Sequence, residues 1–321
     1  MRPLLSIAAG LPLLLRSLFA QSTSPPIYSA PSVPSAFPSP PANAANAPQI
    51  ALGKRLFFDV RMSADGTVSC ASCHRPEHGF ADVRVRSAGV FERHGNRHAP
   101  SLIGRASGTL QFWDGRSASL EEQVIEPIKN PAEMDTTVQS AVARLRADPA
   151  YRGLTVESLP QALALYVRSI RSVDSPFDRF LTGSAGGLSD LEREGLRLFR
   201  DSARCYICHA GNNLTDEMFH NTGVAWRDGR FEDQGRAGVT GKASHQGAFK
   251  TPTLREIAKT APYMHDGGIA TLEEVIEFYD RGGMANPHLD ENMVPLHLSK
   301  ADKDALLAFL RALSGSIRDG N

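Results

Sequence analysis

Two short segments of this 321-residue chain bring together side chains whose types and spacing point to chemistry: Cys70-Ala-Ser-Cys73-His74 and Cys205-Tyr-Ile-Cys208-His209. All four cysteines of the chain fall in them. CxxCH is the attachment pattern of c-type haem. Its spacing has a reason: two thiols about one helical turn apart can bond to the two vinyl groups of the porphyrin, while the adjacent imidazole reaches the iron. Zinc also takes Cys and His ligands, but two copies that use every cysteine point to two covalently bound haems. No thiol is left for a disulfide, so thioether bonds and iron ligation are the staples of the fold.

The surroundings of the two motifs repeat. Gly53-Lys-Arg55-Leu56-Phe57 precedes the first, and Gly195-Leu-Arg197-Leu198-Phe199 the second. Downstream, Pro100-Ser-Leu102 matches Pro252-Thr-Leu254, and thirteen residues past each proline comes Trp113-Asp114-Gly115 in one half and His265-Asp266-Gly267 in the other. Ser119-Leu-Glu-Glu122 and Thr271-Leu-Glu-Glu274 follow, each with the hydroxyl and glutamate of a capping box. The chain reads as a duplicated one-haem unit, its second copy carrying about seventeen extra residues between haem motif and Pro252.

Across this repeat Tyr279 falls opposite Pro127. Leu272, Val275, Ile276 and Tyr279 keep the spacing of one helix face, so on local pattern alone Tyr279 reads as a packed aromatic. Proline cannot ligate iron, whereas a phenolate can. With that face over the distal side of each haem, the second iron is capped by Tyr279. The first is five-coordinate and open to a small ligand. Met264 and Met284 are the rival ligands for the second.

The apolar runs that must position these groups are helix-like, as at 162–170 and 302–313, and strand patterns are few. The expected fold is mostly α: two cytochrome c-like haem domains, 48–183 and 184–321. In front of them, MRPLLSIAAGLPLLLRSLFA (1–20) has the charge, apolar run and small-residue end of an export signal, which places the protein in the periplasm. Residues 21–47 are rich in Pro, Ser and Ala and read as an extended tether. Lys+Arg and Asp+Glu balance at 35 each, so no global field calls for a nucleic-acid partner.

Taken together, the two haem motifs, Phe112-Trp113-Asp114-Gly115-Arg116, Thr260-Ala-Pro262-Tyr-Met-His265-Asp-Gly267 and Phe278-Tyr279-Asp280-Arg281-Gly282-Gly283 resemble the bacterial diheme cytochrome c peroxidases, and within them the MauG-like branch. The resemblance covers about residues 48 to 315. It implies a peroxide-activating N-terminal haem, an electron-transferring C-terminal haem, a tryptophan between them and a calcium ion near both. By position, Trp113 is the inter-haem tryptophan, and Gln123 and Glu133 are the polar pair of the peroxidatic pocket. Thr260 and Pro262 offer carbonyls to calcium, and Tyr279 stands at the axial position. Without the family, Trp113 reads as core and Glu133 as a solvated charge. A carboxylate at that place can move a proton between the two oxygens of peroxide, whereas Gln123 can only orient. Two residues depart from the pattern: His98 stands where the family has the asparagine of its calcium site, and Val90 where some members have a capping loop histidine, with His94 nearby.

The resulting reading is an exported diheme peroxidase acting on hydrogen peroxide. A protein electron donor or a protein substrate supplies the electrons. A phenolate is a hard anionic ligand that favours oxidised iron, so Tyr279 points to the MauG-like branch. The alternatives are a cytochrome c peroxidase that needs half reduction and a non-catalytic diheme electron carrier.

Overall fold

The computed structural model describes residues 46–320. The export signal expected over 1–20 and the tether up to residue 45 lie outside the described residues. The first helix, α1 (Ala47–Phe57), starts with Pro48 in its first turn, where a missing N–H costs nothing, and ends on Lys54 and Arg55. After the first haem segment come α2 (Leu120–Gln123), α3 (Glu126–Lys129), α4 (Val138–Leu145), α5 (Ser158–Ser169) and strand β1 (Arg171–Val173). The second half has α6 (Pro176–Leu181), α7 (Asp190–Arg200), β2 (Phe219–His220), β3 (Trp226–Arg227), β4 (Arg230–Phe231) and α8 (Ala237–Thr240). It closes with β5 (Phe249–Lys250), α9 (Leu272–Asp280), α10 (Lys300–Arg311) and β6 (Ser316–Arg318). The strands form three two-stranded antiparallel pairs, β1–β6, β2–β5 and β3–β4. The protein is helix-rich, with long connections.

Apolar residues from Ile50 to Ile170 form one core cluster and residues from Phe177 to Leu313 a second. Each is built on a crossed helix pair: α1 on α5, and α7 on α10. The two crossings match residue by residue. A Cβ on Gly53 would run into the Ala162 carbonyl and the Tyr166 side chain; one on Gly195 would run into the Ala305 carbonyl and Phe309. Glycine is therefore what lets each pair of backbones touch. Beside these contacts Phe57 meets Tyr166 edge-on at 5.1 Å and 61°, and Phe199 meets Phe309 at 5.2 Å and 61°. Such aromatic pairs contribute about 0.5–1.5 kcal/mol beyond the area they bury.

The helices that follow the tryptophan and histidine loops differ. Thr271 and Glu274 close a full capping box, and α9 runs on for nine residues to Asp280. Ser119 also accepts from Glu122 N–H, but the Glu122 carboxylate takes the Ala118 N–H instead, and α2 stops after four residues. Pro127 cannot donate to a continuing helix and opens α3 in its place.

The last residues return to the first half. Arg171, Ser172 and Val173 pair with Arg318, Ile317 and Ser316, the Tyr166 hydroxyl donates to Asp319 (2.8 Å), and Gly320 N–H donates to Ser169 Oγ (2.8 Å).

Candidate haem centres and active site

Both CxxCH segments fold as a single 3₁₀ turn, Cys70–Ser72 and Cys205–Ile207. In each, the histidine N–H donates to the carbonyl of the first cysteine at 2.9 Å, which brings thiols and imidazole to one side of the turn. The His74 Nδ1 lies 3.0 Å from the Phe80 carbonyl and the His209 Nδ1 2.9 Å from the Leu214 carbonyl. A carbonyl only accepts, so Nδ1 carries the proton and Nε2 keeps its lone pair. Burial holds both rings below the usual histidine range, hence neutral. Two thiols, a neutral imidazole with an oriented lone pair and no disulfide partner make a donor set that fits c-type haem at both places.

Cys73 and His74 open onto a cavity of about 850 Å³, room for an organic cofactor together with a small substrate. Gln123, Pro127, Glu133 and Trp113 line the same cavity. Glu133 is half-buried, and burial pushes its carboxyl above the usual carboxylate range, against the pull of the Asn130 amide and the Arg116 guanidinium. Asn130 Nδ2 donates to Glu133 Oε1 at 2.6 Å, while Asn130 Oδ1 accepts the Ala132 N–H. The loop is pinned from behind: Val90 N–H donates to the Glu133 carbonyl, and Gly89 lies so close that a Cβ there would strike Ala132 and Glu133. His94 sits on the same hairpin, bridged to Ala88, with its ring exposed and Nδ1 3.2 Å from the Ser87 carbonyl. It does not line the cavity.

Trp113 is held at the seam between the halves. Its indole N–H donates to the His98 carbonyl (2.9 Å), and its own carbonyl accepts the Lys250 N–H (2.8 Å). The repeat-related bond is also present, from His98 N–H to the His265 carbonyl at 2.8 Å. Phe112 and Met264, the residues before Trp113 and His265, both have positive φ (66° and 72°). The bridges Gln111–Ser117 and Tyr263–Ile269 close the two loops alike.

Tyr279 ends α9 half-buried, with its hydroxyl near Cys205 and Cys208; burial first, then those sulfurs, push the phenol above its ordinary value. Met284 is exposed, and Met264 packs on the second core cluster. The calcium position fits less well. Calcium takes oxygen ligands, yet His98 is a buried imidazole whose Nδ1–H donates to the Arg84 carbonyl (3.0 Å). Thr260 is buried, its γ-methyl facing Gly79, and Pro262 follows a cis bond. No step below passes through calcium.

Several cavity residues escaped the sequence reading. Asn130 and Arg116 stand beside Glu133, and Arg97 joins Asp114 (2.6 Å) to Asp233 (2.7 Å), a residue from the extra segment of the second half. Arg116 lay inside a quoted motif, and Asn130 three residues before Glu133; those were the available signals.

The family model of di-haem cytochrome c peroxidases matches residues 47–186. The chain is 36% identical to the methylamine utilization protein MauG of Methylorubrum extorquens over 87% of this chain and 82% of that one. It is 34% identical to a cytochrome-c peroxidase of Denitromonas iodatirespirans over 86% and 84%. Among solved structures, a MauG-like protein associated with microbial copper homeostasis superposes with a TM-score of 0.77 at 34% identity, over 83% of this chain and 89% of that one. With both haem-binding turns in place and relatives that span nearly the whole chain, the protein belongs to the di-haem cytochrome c peroxidase family, in which the MauG proteins are included.

Proposed function

We propose that this chain is a two-haem oxidoreductase that reduces hydrogen peroxide, built by duplication of a cytochrome c-like domain and working in the periplasm. The observation that carries the reading is the cavity that joins His74, Gln123, Glu133 and Trp113 and has Pro127, not a ligand, at its repeat-related axial position. Cys70, Cys73 and His74 hold the first haem; Cys205, Cys208, His209 and Tyr279 hold the second. The iron supplies a place for peroxide to bind and take up electrons.

The protein's own groups do the rest. Glu133, desolvated and fixed by Asn130, takes a proton from the inner peroxide oxygen and returns it to the outer one, which leaves as water. Gln123 orients peroxide or water by hydrogen bonding. Trp113, fixed at both its indole and its carbonyl, stands between the two haem segments for electron passage. Tyr279 as an anionic ligand favours the oxidised second haem and so the MauG-like branch. The electrons come from a protein donor or from side chains of a protein substrate.

The test is Glu133→Gln, which keeps size and polarity and removes the titrating proton. Peroxide consumption by the two-haem protein should fall about a hundredfold or more, while haem content stays unchanged. Wild-type rates in this variant would return Glu133 to an ordinary surface charge.

A further inference from the structure

Lys250 is a buried cation that the reaction above does not use. It is 8% exposed, lies in β5 and lines the same cavity as His74, together with Arg105. Its ammonium has Glu217 Oε1 at 3.5 Å, a long contact. That carboxylate is already gripped by Arg105, through Nη1 to Oε1 at 2.7 Å and Nη2 to Oε2 at 3.2 Å. Two cations therefore share Glu217, and the next anion, Asp216, is engaged by His220 at 2.9 Å, so the ammonium faces the cavity wall with donors to spare. Burial and the neighbouring Arg105 push Lys250 down to about 8, against the pull of Glu217. A buried charge persists where a partner balances it, so the missing partner is an anion inside the cavity. The main-chain bond from Lys250 to Trp113 fixes the strand that carries the lysine.

We propose that Lys250, backed by Arg105, seats a carboxylate of one of the bound haems. It rests on the reading that both CxxCH turns carry haem. Propionates are the only carboxylates the resident cofactor brings, and an ammonium with free donors beside a preoccupied Glu217 is the complementary group. Lys250 thus sets the electrostatics of one haem at the seam beside Trp113.

The test uses the two-haem protein with Lys250→Met, Lys250→Arg and Glu217→Gln. Haem content is measured first: fewer than two haems in the wild type would overturn the haem-binding reading and this proposal with it, whereas with two haems bound the variants test this proposal alone. Resonance Raman spectra then follow the propionate bending bands, and spectroelectrochemistry the midpoint potentials. Lys250→Met should shift the propionate band of one haem and lower its potential, Lys250→Arg should restore both, and Glu217→Gln should shift them the opposite way. The haem whose wave moves more is the one seated. Unchanged bands in Lys250→Met, or equal changes in the Met and Arg variants, overturn the proposal. So does a saturable spectral response of wild type to acetate that Lys250→Met abolishes, because the seat would then belong to a free carboxylate.

Discussion

A carboxylate that relays a proton needs one oxygen held and the other left for the substrate, and the Asn130–Glu133 pair has that form. The Asn130 amide also pulls against the burial that raises the Glu133 carboxyl. The sign of its removal follows. Asn130→Ala deletes the hydrogen bond that favours the carboxylate, so Glu133 should titrate at higher pH and the acid limb of the peroxide rate should move up. The charged groups that face Glu133, Arg116 and Glu126, stay in both proteins. The limb should keep its shape, and Asn130→Gln should recover part of the shift; a wild-type pH profile in Asn130→Ala would refute the role. At this scale the sequence was legible where covalent chemistry imposes spacing, as in the cysteines and histidines. Glu133 was reached through a resemblance. Arg105 and Glu217 were not reached, because ion pairs between residues 112 apart leave no local pattern.

The two helical segments that match across the sequence repeat differ where Pro127 stands opposite Tyr279, and the difference separates the surroundings of the two CxxCH turns. α9 is closed by a full box and carries Tyr279 in its last turn, whereas Pro127 cuts the equivalent run into α2 and α3. The capping residues and the apolar stripe of α9 could be read in advance. The missing ligand opposite Tyr279 could be read from Pro127 as well, but the split of the partner helix into two four-residue pieces was not read, although a proline rule implies it. Tyr279→Phe keeps the ring and its edge-on contact with Phe278 and deletes the oxygen. The fold should survive, and the second haem should lose its phenolate band and accept an added ligand such as imidazole. Tyr279→Met should raise that haem's potential, by up to a few hundred millivolts on the scale over which axial ligands tune haem. An unchanged spectrum in Tyr279→Phe would leave Tyr279 as a packed aromatic and turn attention to Met264, which packs on the second core cluster.

In the molecule as a whole, the two halves are tied together twice. At the seam, reciprocal main-chain bonds tie His98 to His265 and Lys250 to Trp113. At the far side, β6 leaves the second half, pairs with β1 and lays Asp319 against Tyr166 and Lys54, while Gly320 reaches Ser169. Neither tie was visible in the sequence: the repeat led to an expectation of two units, but contacts between units carry no periodicity. The C-terminal tie can be removed cleanly, because, among the described residues, 316–320 contribute no cavity wall. A chain ending at Gly315 loses the β1–β6 ladder and leaves the buried Tyr166 hydroxyl without Asp319. Losing the ladder and the Tyr166–Asp319 and Gly320–Ser169 bonds, at about 1 kcal/mol per hydrogen bond, would lower the melting temperature by roughly 5–10 °C. Calorimetry on the two-haem protein should show that loss with haem spectra intact, because α1, α5 and both CxxCH turns keep their own packing. If the shortened chain melts with the wild type, β6 is an ornament and the seam alone sets the spacing; if it also loses peroxide turnover at moderate temperature, the spacing across Trp113 depends on both ties.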